Sequence, residues 1–429
     1  MLPESQIAEP LAAPRRLSRW RANALASDAA GILDGDRPGP IVERIRAQAS
    51  VASRAYTRTI GILIAVLLVG QAGTAALKNT SKTTRAVVSG PLSLLAGVAG
   101  VGIALLFLGR YVRIGHRRYR VIAGVSAFLL GFIILTGSAV RLTGSGLGCP
   151  DWPTCKQGKI VPASGTHARI EFGNRIVTGL CVFAAAIGVL TALVRVSYRR
   201  DLVRLGLITS FLIFANAILG GLTVIYGLKP QFVMSHFLLA IATLSVGLLI
   251  VHRSGEPGAS RDLFGRDRVR SLDAMTGRLV QGLTLAALLA LFLGTIVTGS
   301  GPHGGDPKVV RYNYSMAAVA QIHSGAVWLT LAIVCALGIK ATRAAGLASG
   351  ELRKRISVLL AVIMVQGAIG YIQYFNRLPV GLVQAHVVGA TLFWVTVMWV
   401  RAATWQPAVG IDRTALTTNR FRRAISQSG

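Results

Sequence analysis

The chain has 429 residues, 52% of them hydrophobic and only 14% charged, and its mean hydropathy is +0.57. Those proportions exclude an ordinary water-soluble globular enzyme and describe a chain whose apolar surface faces lipid. The formal charge of +30 would suit a nucleic-acid binder, but the basic residues fall in short clusters between apolar runs. That pattern belongs to membrane topology, and no nucleic-acid partner is expected.

In chain order, residues 1–58 read as a polar, partly disordered tail with no signal peptide, because the first apolar run begins only near Ile60. Two accessory transmembrane segments, at about 60–77 and 88–109, occupy region 59–118. Eight more apolar segments follow at about 121–140, 175–194, 204–226, 232–251, 279–298, 317–338, 356–375 and 381–400. Each is near the ~20 residues that a helix needs to cross a hydrocarbon layer. A membrane β-barrel would instead show short alternating segments. The expected fold is therefore an all-α integral membrane protein.

Simple alternation of the segments puts "GRYVRIGHRRYR", "VRVSYRRDLVR", the Arg-rich stretch after His252, "KATRAAGLASGELRKR" and the C-terminal tail 404–429 on one side. The positive-inside rule makes that side cytoplasmic and places both termini there, in a bacterial plasma membrane. "GSGLGCPDWPTC", "YGLKP", "GPHGGDPKVVRYN" and "FNRLP" then face outward. "KNTSKTTR", outward but basic, fits least well.

Of the four cysteines, Cys181 and Cys335 lie inside apolar segments and read as small hydrophobes. Cys149 and Cys155 share an outward loop with Pro150 and Pro153 between them. An oxidising compartment favours a disulfide there, with a metal pair or two free thiols as the alternatives.

The later half repeats the earlier one. An offset of 150 superposes Gln366 on Asn216, Gly370 on Gly220, Val383 on Val233, His386 on His236 and Ala390 on Ala240. An offset of 149 sets His323 on Asn174. Residues 119–260 and 261–403 are thus expected to form two tandem four-helix units, related by a pseudo-two-fold axis along the membrane normal.

Alternation also places Asn174, His236, His323 and His386 at one depth, within about seven residues, or roughly 10 Å, of the outer helix ends. Ionisable groups inside a bilayer are costly and usually face a bundle interior or a cofactor. A metal-ligand role for His236, His323 and His386 stands against interhelical hydrogen bonding. Facing histidines in a four-helix bundle suit the axial positions of haem iron, whereas structural zinc wants four close ligands. The C-terminal unit offers the pair His323 and His386, but the N-terminal unit has only His236 with Asn174, and adds Glu171 one turn earlier. Glu171 is a catalytic candidate, with helix capping or pairing with Arg175 as the plainer readings. Arg141 and Arg175 could meet haem propionates or serve as interfacial anchors. His303 sits in a Gly-rich loop, His116 and His252 lie among solvated basic residues, and Trp328 and Trp394 read as packing residues.

Over about residues 119–403, "GSAVRLTGSGLGCPDWPTC", "IEFGNRIVTG", "MSHFLLA", "GPHGGD", "QIHSGAVWL" and "VQAHVVGATLFW" resemble the membrane haem A synthases. The resemblance implies an eight-helix, two-unit enzyme that oxidises a ring methyl of haem O to a formyl group, by successive hydroxylations and loss of water. It implies haem b on His323 and His386, haem O near His236, Asn174 and Glu171, and Glu171 assisting the oxidation. The outer cysteine pair recurs in many bacterial members. As partners it implies haem O, the enzyme that makes it and the assembly of terminal oxidases, with homo-oligomerisation left open. Many members carry E-x-x-H-R where this chain has "EFGNR". That leaves open whether Asn174 contributes and whether His167, one turn before Glu171, stands in for the absent histidine. A b-type cytochrome electron carrier, and third a secondary transporter, are the rival functions.

Overall fold

The computed structural model describes residues 114–407 except 163–164, 197–198, 256–267, 271–272 and 345–346, together with isolated positions between 61 and 103. The polar tails and the two accessory segments fall, but for those isolated positions, outside the described residues.

Eight helices follow one another: α1 (His116–Leu142), α2 (Thr166–Leu193), α3 (Arg200–Ile225), α4 (Pro230–Ser254), α5 (Ala274–Ser300), α6 (Met316–Arg343), α7 (Leu347–Phe375) and α8 (Val380–Ala402). All eight contain a stretch long and apolar enough to cross a membrane. The chain is a multi-pass, essentially all-helical membrane protein. One small departure from an all-helical reading is the antiparallel ribbon of β1 (Arg268–Arg270) and β2 (Trp405–Pro407).

The helices overrun the apolar segments because their first turns are polar yet still hydrogen-bonded. α2 and α7 each start nine residues early, α2 at Thr166 after Gly165 at φ 104° and α7 at Leu347. Glu171 therefore lies in the second turn rather than at the helix mouth. Cap chemistry sets two other starts. The Asp273 carboxylate accepts from the backbone N–H groups of Met275 and Thr276, and the Ser315 side chain accepts from that of Ala318.

Within residues 116–254, α1 packs on α2, α2 on α3, α3 on α4, and α4 back on α1. Residues 274–402 repeat that closed circuit with α5, α6, α7 and α8, while α8 meets α1 and α4 and α4 meets α5. Small residues set the close approaches: a Cβ on Gly247 of α4 would lie 2.8 Å from Leu130 of α1. The core runs through both halves without a break, from Leu130, Ile241 and Leu244 to Leu283, Leu337, Leu359 and Val397. Polar ties also cross between halves. Trp394 Nε1 donates to Ser245 Oγ at 2.8 Å, and Ser138 Oγ donates to Gln384 Oε1 at 2.9 Å.

The α3–α4 and α7–α8 hairpins turn in the same way. Gly227 and Leu228 hold φ of 63° and 58°, and Arg377 and Leu378 hold 61° and 59°. Leu228 N–H reaches Thr223 O at 2.8 Å, and Leu378 N–H reaches Gln373 O at 2.8 Å. The offset of 150 therefore describes backbone as well as side chains.

Candidate functional site

The α1–α2, α3–α4, α5–α6 and α7–α8 loops meet at one end of the bundle and are stitched together. Gly146 N–H donates to Gly305 O at 3.0 Å, and Arg141 Nη1 donates to His303 O. His303 Nε2 donates to Leu378 O at 2.8 Å. The Leu228 side chain is buried over two glycines: a Cβ on Gly146 or Gly305 would come within 2.7 or 3.0 Å of it. His303 is thus a tie between loops, a role that its Gly-rich surroundings did not disclose.

Beneath these loops lies a cavity of about 1410 Å³ lined by all eight helices. Single small-molecule pockets commonly measure about 300–1,000 Å³, so this one has room for more than one ligand. Its walls carry Glu171, Asn174, His236, His323 and His386, and Arg141 and Arg175 stand at its edge near the loops.

His323 on α6 and His386 on α8 face each other with ring centres 6.5 Å apart and planes at 78°. Two imidazoles on opposite faces of one metal, with metal–nitrogen bonds of about 2 Å, have ring centres about 6 Å apart. The pair fits one metal between them. The described residues contain no cluster of three or more His, Cys, Asp or Glu side chains that could hold a metal ion. A metal on these two nitrogens would take its remaining ligands from a macrocycle. His323 Nδ1 donates to Ala290 O at 2.9 Å, which leaves Nε2 as the ring nitrogen free to bind a metal. His386 Nδ1 is buried without a hydrogen bond of standard geometry.

His236 on α4 shares the cavity with Asn174 on α2. Its Nδ1 is likewise buried without a standard hydrogen bond. Asn174 Oδ1 accepts from Thr136 Oγ1 at 2.7 Å, so the amide is held by α1. Thr136 was not singled out by sequence, and neither was Asn216, whose Oδ1 is buried without a partner at the cavity wall. His167 is exposed, its Nδ1 lies 2.9 Å from Ser145 Oγ, and it does not line the cavity.

Glu171 is only 5% exposed. Its Oε1 pairs with Arg175 Nη2 at 2.6 Å, and its Oε2 accepts Cys149 N–H at 2.7 Å. The Arg175 guanidinium also donates to the carbonyls of Cys149, Asp151, Pro153 and Thr154. Those residues form the loop closed by a disulfide between Cys149 and Cys155, with an S–S distance of 2.00 Å. One carboxylate and one guanidinium therefore clamp the loop to α2. The same loop sends Trp152 into the cavity, against α3 at Gly221, where an added Cβ would fall 2.5 Å from the indole. Arg141 and Arg175 border the cavity, and each also donates to loop carbonyls.

His116 is not simply solvated, because its Nδ1 lies 2.5 Å from Arg195 Nη2. Trp394 is buried and hydrogen-bonded, and Trp328 is exposed beside Tyr371.

Residues 120–398 match the family model COX15-CtaA, cytochrome oxidase assembly protein. Curated proteins named Heme A synthase are similar to the chain. The protein of Lysinibacillus sphaericus is 30% identical over 138 residues, covering 32% of this chain and 45% of that relative. That of Symbiobacterium thermophilum is 32% identical over 185 residues, covering 42% and 58%. That of Bacillus licheniformis is 22% identical over 284 residues, covering 61% and 88%. The chain spans about half the length of several of the relatives it matches, including 45% and 48% of two of them.

Proposed function

Because the chain belongs to the COX15-CtaA family of cytochrome oxidase assembly proteins, we propose that it is a haem A synthase. It converts the ring methyl of haem O to a formyl group. The methyl gains one oxygen and loses two hydrogens, a four-electron oxidation whose electrons pass to an external acceptor.

The observation that carries this reading is the 6.5 Å spacing of His323 and His386 in a cavity that also receives His236, Asn174 and Glu171. His323 and His386 would hold a haem b, which would supply one-electron transfer. The N-terminal four-helix unit would take haem O, with His236 as the imidazole available to its iron and Asn174 standing where the C-terminal unit has His323. Glu171, at the rim of that unit, takes up a proton released as the methyl is oxidised. The surrounding loops and Trp152 keep bulk water from the reacting carbon.

The two four-helix units are related by a pseudo-two-fold along the membrane normal, as the matching hairpins support. The basic loops lie at the end of the bundle away from the site, so the positive-inside rule puts the site near the outer face and both termini in the cytoplasm. Haem O arrives from the membrane enzyme that forms it, and the product passes to terminal oxidase assembly.

Coexpression with a source of haem O, followed by extraction and chromatography of the haems, tests the activity. Haem A or its hydroxylated intermediate is expected from the parent. Glu171→Gln is expected to lose product about 10²–10⁴-fold, as for removal of a general acid–base, while keeping the haem b spectrum. Haem O alone from a folded, haem-loaded parent would instead identify a b-type electron carrier.

A further inference from the structure

His236, His323 and His386 each lie against a glycine on a neighbouring helix. An added Cβ would stand 3.0 Å from His236 Cε1 at Gly220, 3.1 Å from His323 Cε1 at Gly294, and 3.1 Å from His386 Cε1 at Gly370. Four residues before these glycines stand Asn216, Ala290 and Gln366. His323 Nδ1 donates to the carbonyl of Ala290. The Nδ1 atoms of His236 and His386 stand at the matching places, 3.5 and 3.6 Å from where a Cβ on Gly220 or Gly370 would lie, and are buried without a hydrogen-bond partner.

Helix geometry gives the reason for the spacing. A helical side chain leans toward the N-terminus and covers the turn before it, including the carbonyl four residues back. With glycine there, the second lone pair of that carbonyl is open to a donor from the next helix. The imidazole can then lie flat against the helix with Nδ1 on the carbonyl and Nε2 turned away.

We propose that Gly220, Gly294 and Gly370 are positioning residues: by baring the carbonyls of Asn216, Ala290 and Gln366, they fix the tautomer and direction of His236, His323 and His386. A fourth seat survives at Gly137, where an added Cβ would lie 3.8 Å from Asn174 Oδ1. There Thr136 Oγ1 lies 3.2 Å from the carbonyl of Ile133 and 2.7 Å from Asn174 Oδ1. The inference rests on the haem reading of this cavity, and its test separates the two.

Gly294→Ala and Gly370→Ala are compared with Gly282→Ala, which lies on the same helix as Gly294 and whose added Cβ meets nothing within 4 Å. Purified proteins are assayed for haem retention and for the low-spin electron paramagnetic resonance signal of the bis-histidine iron. The Gly282 variant is expected to match the parent. Each seat variant is expected to fold and elute normally, but to show a displaced signal and about tenfold weaker haem retention, the usual range for losing an outer partner of a ligand. Seat variants with the parent's signal and retention would overturn the proposal.

A parent without any bis-histidine signal would overturn the haem reading instead. The seats are then decided by 15N spectra of histidine-labelled protein. The parent should show the Nδ1-protonated tautomer at His323, and Gly294→Ala should lose it. The same tautomer in both would refute the seat.

Discussion

At the scale of single residues, the pairing of Glu171 with Arg175 decides how the disulfide loop is held. Glu171 is nearly buried, and its two oxygens are taken by a guanidinium and a backbone N–H. Removing Arg175 leaves a carboxylate in a poorly hydrated place and frees four loop carbonyls at once. Arg175→Ala should therefore destabilise the protein by about 3–5 kcal/mol, as for breaking a buried pair from one side. Glu171→Gln should cost less, since the amide still accepts from Cys149 N–H. The double variant should be less destabilised than the sum, by about 0.5–3 kcal/mol. Thermal unfolding of the four proteins in detergent checks the cycle; additive losses would show that the two groups act separately. Sequence already placed Glu171 and Arg175 one turn apart. It did not indicate that both grip the loop from 149 to 155, because that contact depends on a fold-back of more than twenty residues.

At the scale of elements, the repeated hairpins make a local prediction. Gly227 and Arg377 occupy the same left-handed position, where a side chain costs roughly 1–2 kcal/mol. Gly227 has open space around its absent Cβ, so Gly227→Ala should cost about 1 kcal/mol through backbone conformation alone. Arg377→Gly should be neutral or stabilising. Chemical denaturation in mixed micelles measures both, and equal effects of the same sign would mean that the hairpins are not equivalent. The start of α5 is similarly local. Hydrogen bonds from Thr276 hold the Asp273 carboxyl down to about 2, so this cap stays ionised at any ordinary pH. Its contribution is present above the unfolded carboxylate range and is lost only as pH falls through about 2. Asp273→Ala should cost about 1 kcal/mol at neutral pH. The α2 start shows where element reading fails: hydropathy marks the lipid-facing stretch, and hydrogen bonding carries the helix past it to Thr166.

Taken whole, the described residues form two closed circuits of four helices sharing one core, with a cavity lined by helices of both. Charge asymmetry between its ends makes orientation testable. In a background lacking Cys335, Lys308→Cys in the α5–α6 loop should react with a membrane-impermeant maleimide in intact cells. Arg343→Cys at the far end of α6 should react only after permeabilisation. The reverse pattern would invert the topology and place the site at the cytoplasmic face.

Sequence alone determined what depends on composition and local order: the apolar segments of spanning length, eight of which are helices among the described residues, their internal repeat, and the family resemblance. These were legible because lipid imposes length and hydropathy on each helix separately, and because a duplicated segment keeps its residues in register. Tertiary structure decided what depends on distance between segments. It set the 6.5 Å gap between His323 and His386, the carbonyl under His323, the Thr136 hold on Asn174, and the Glu171–Arg175 clamp on the disulfide loop. It also turned His303 from a loop residue into a tie. Those relations rest on how far one helix rotates and slides against the next, which side-chain packing across the whole bundle settles and no single segment encodes.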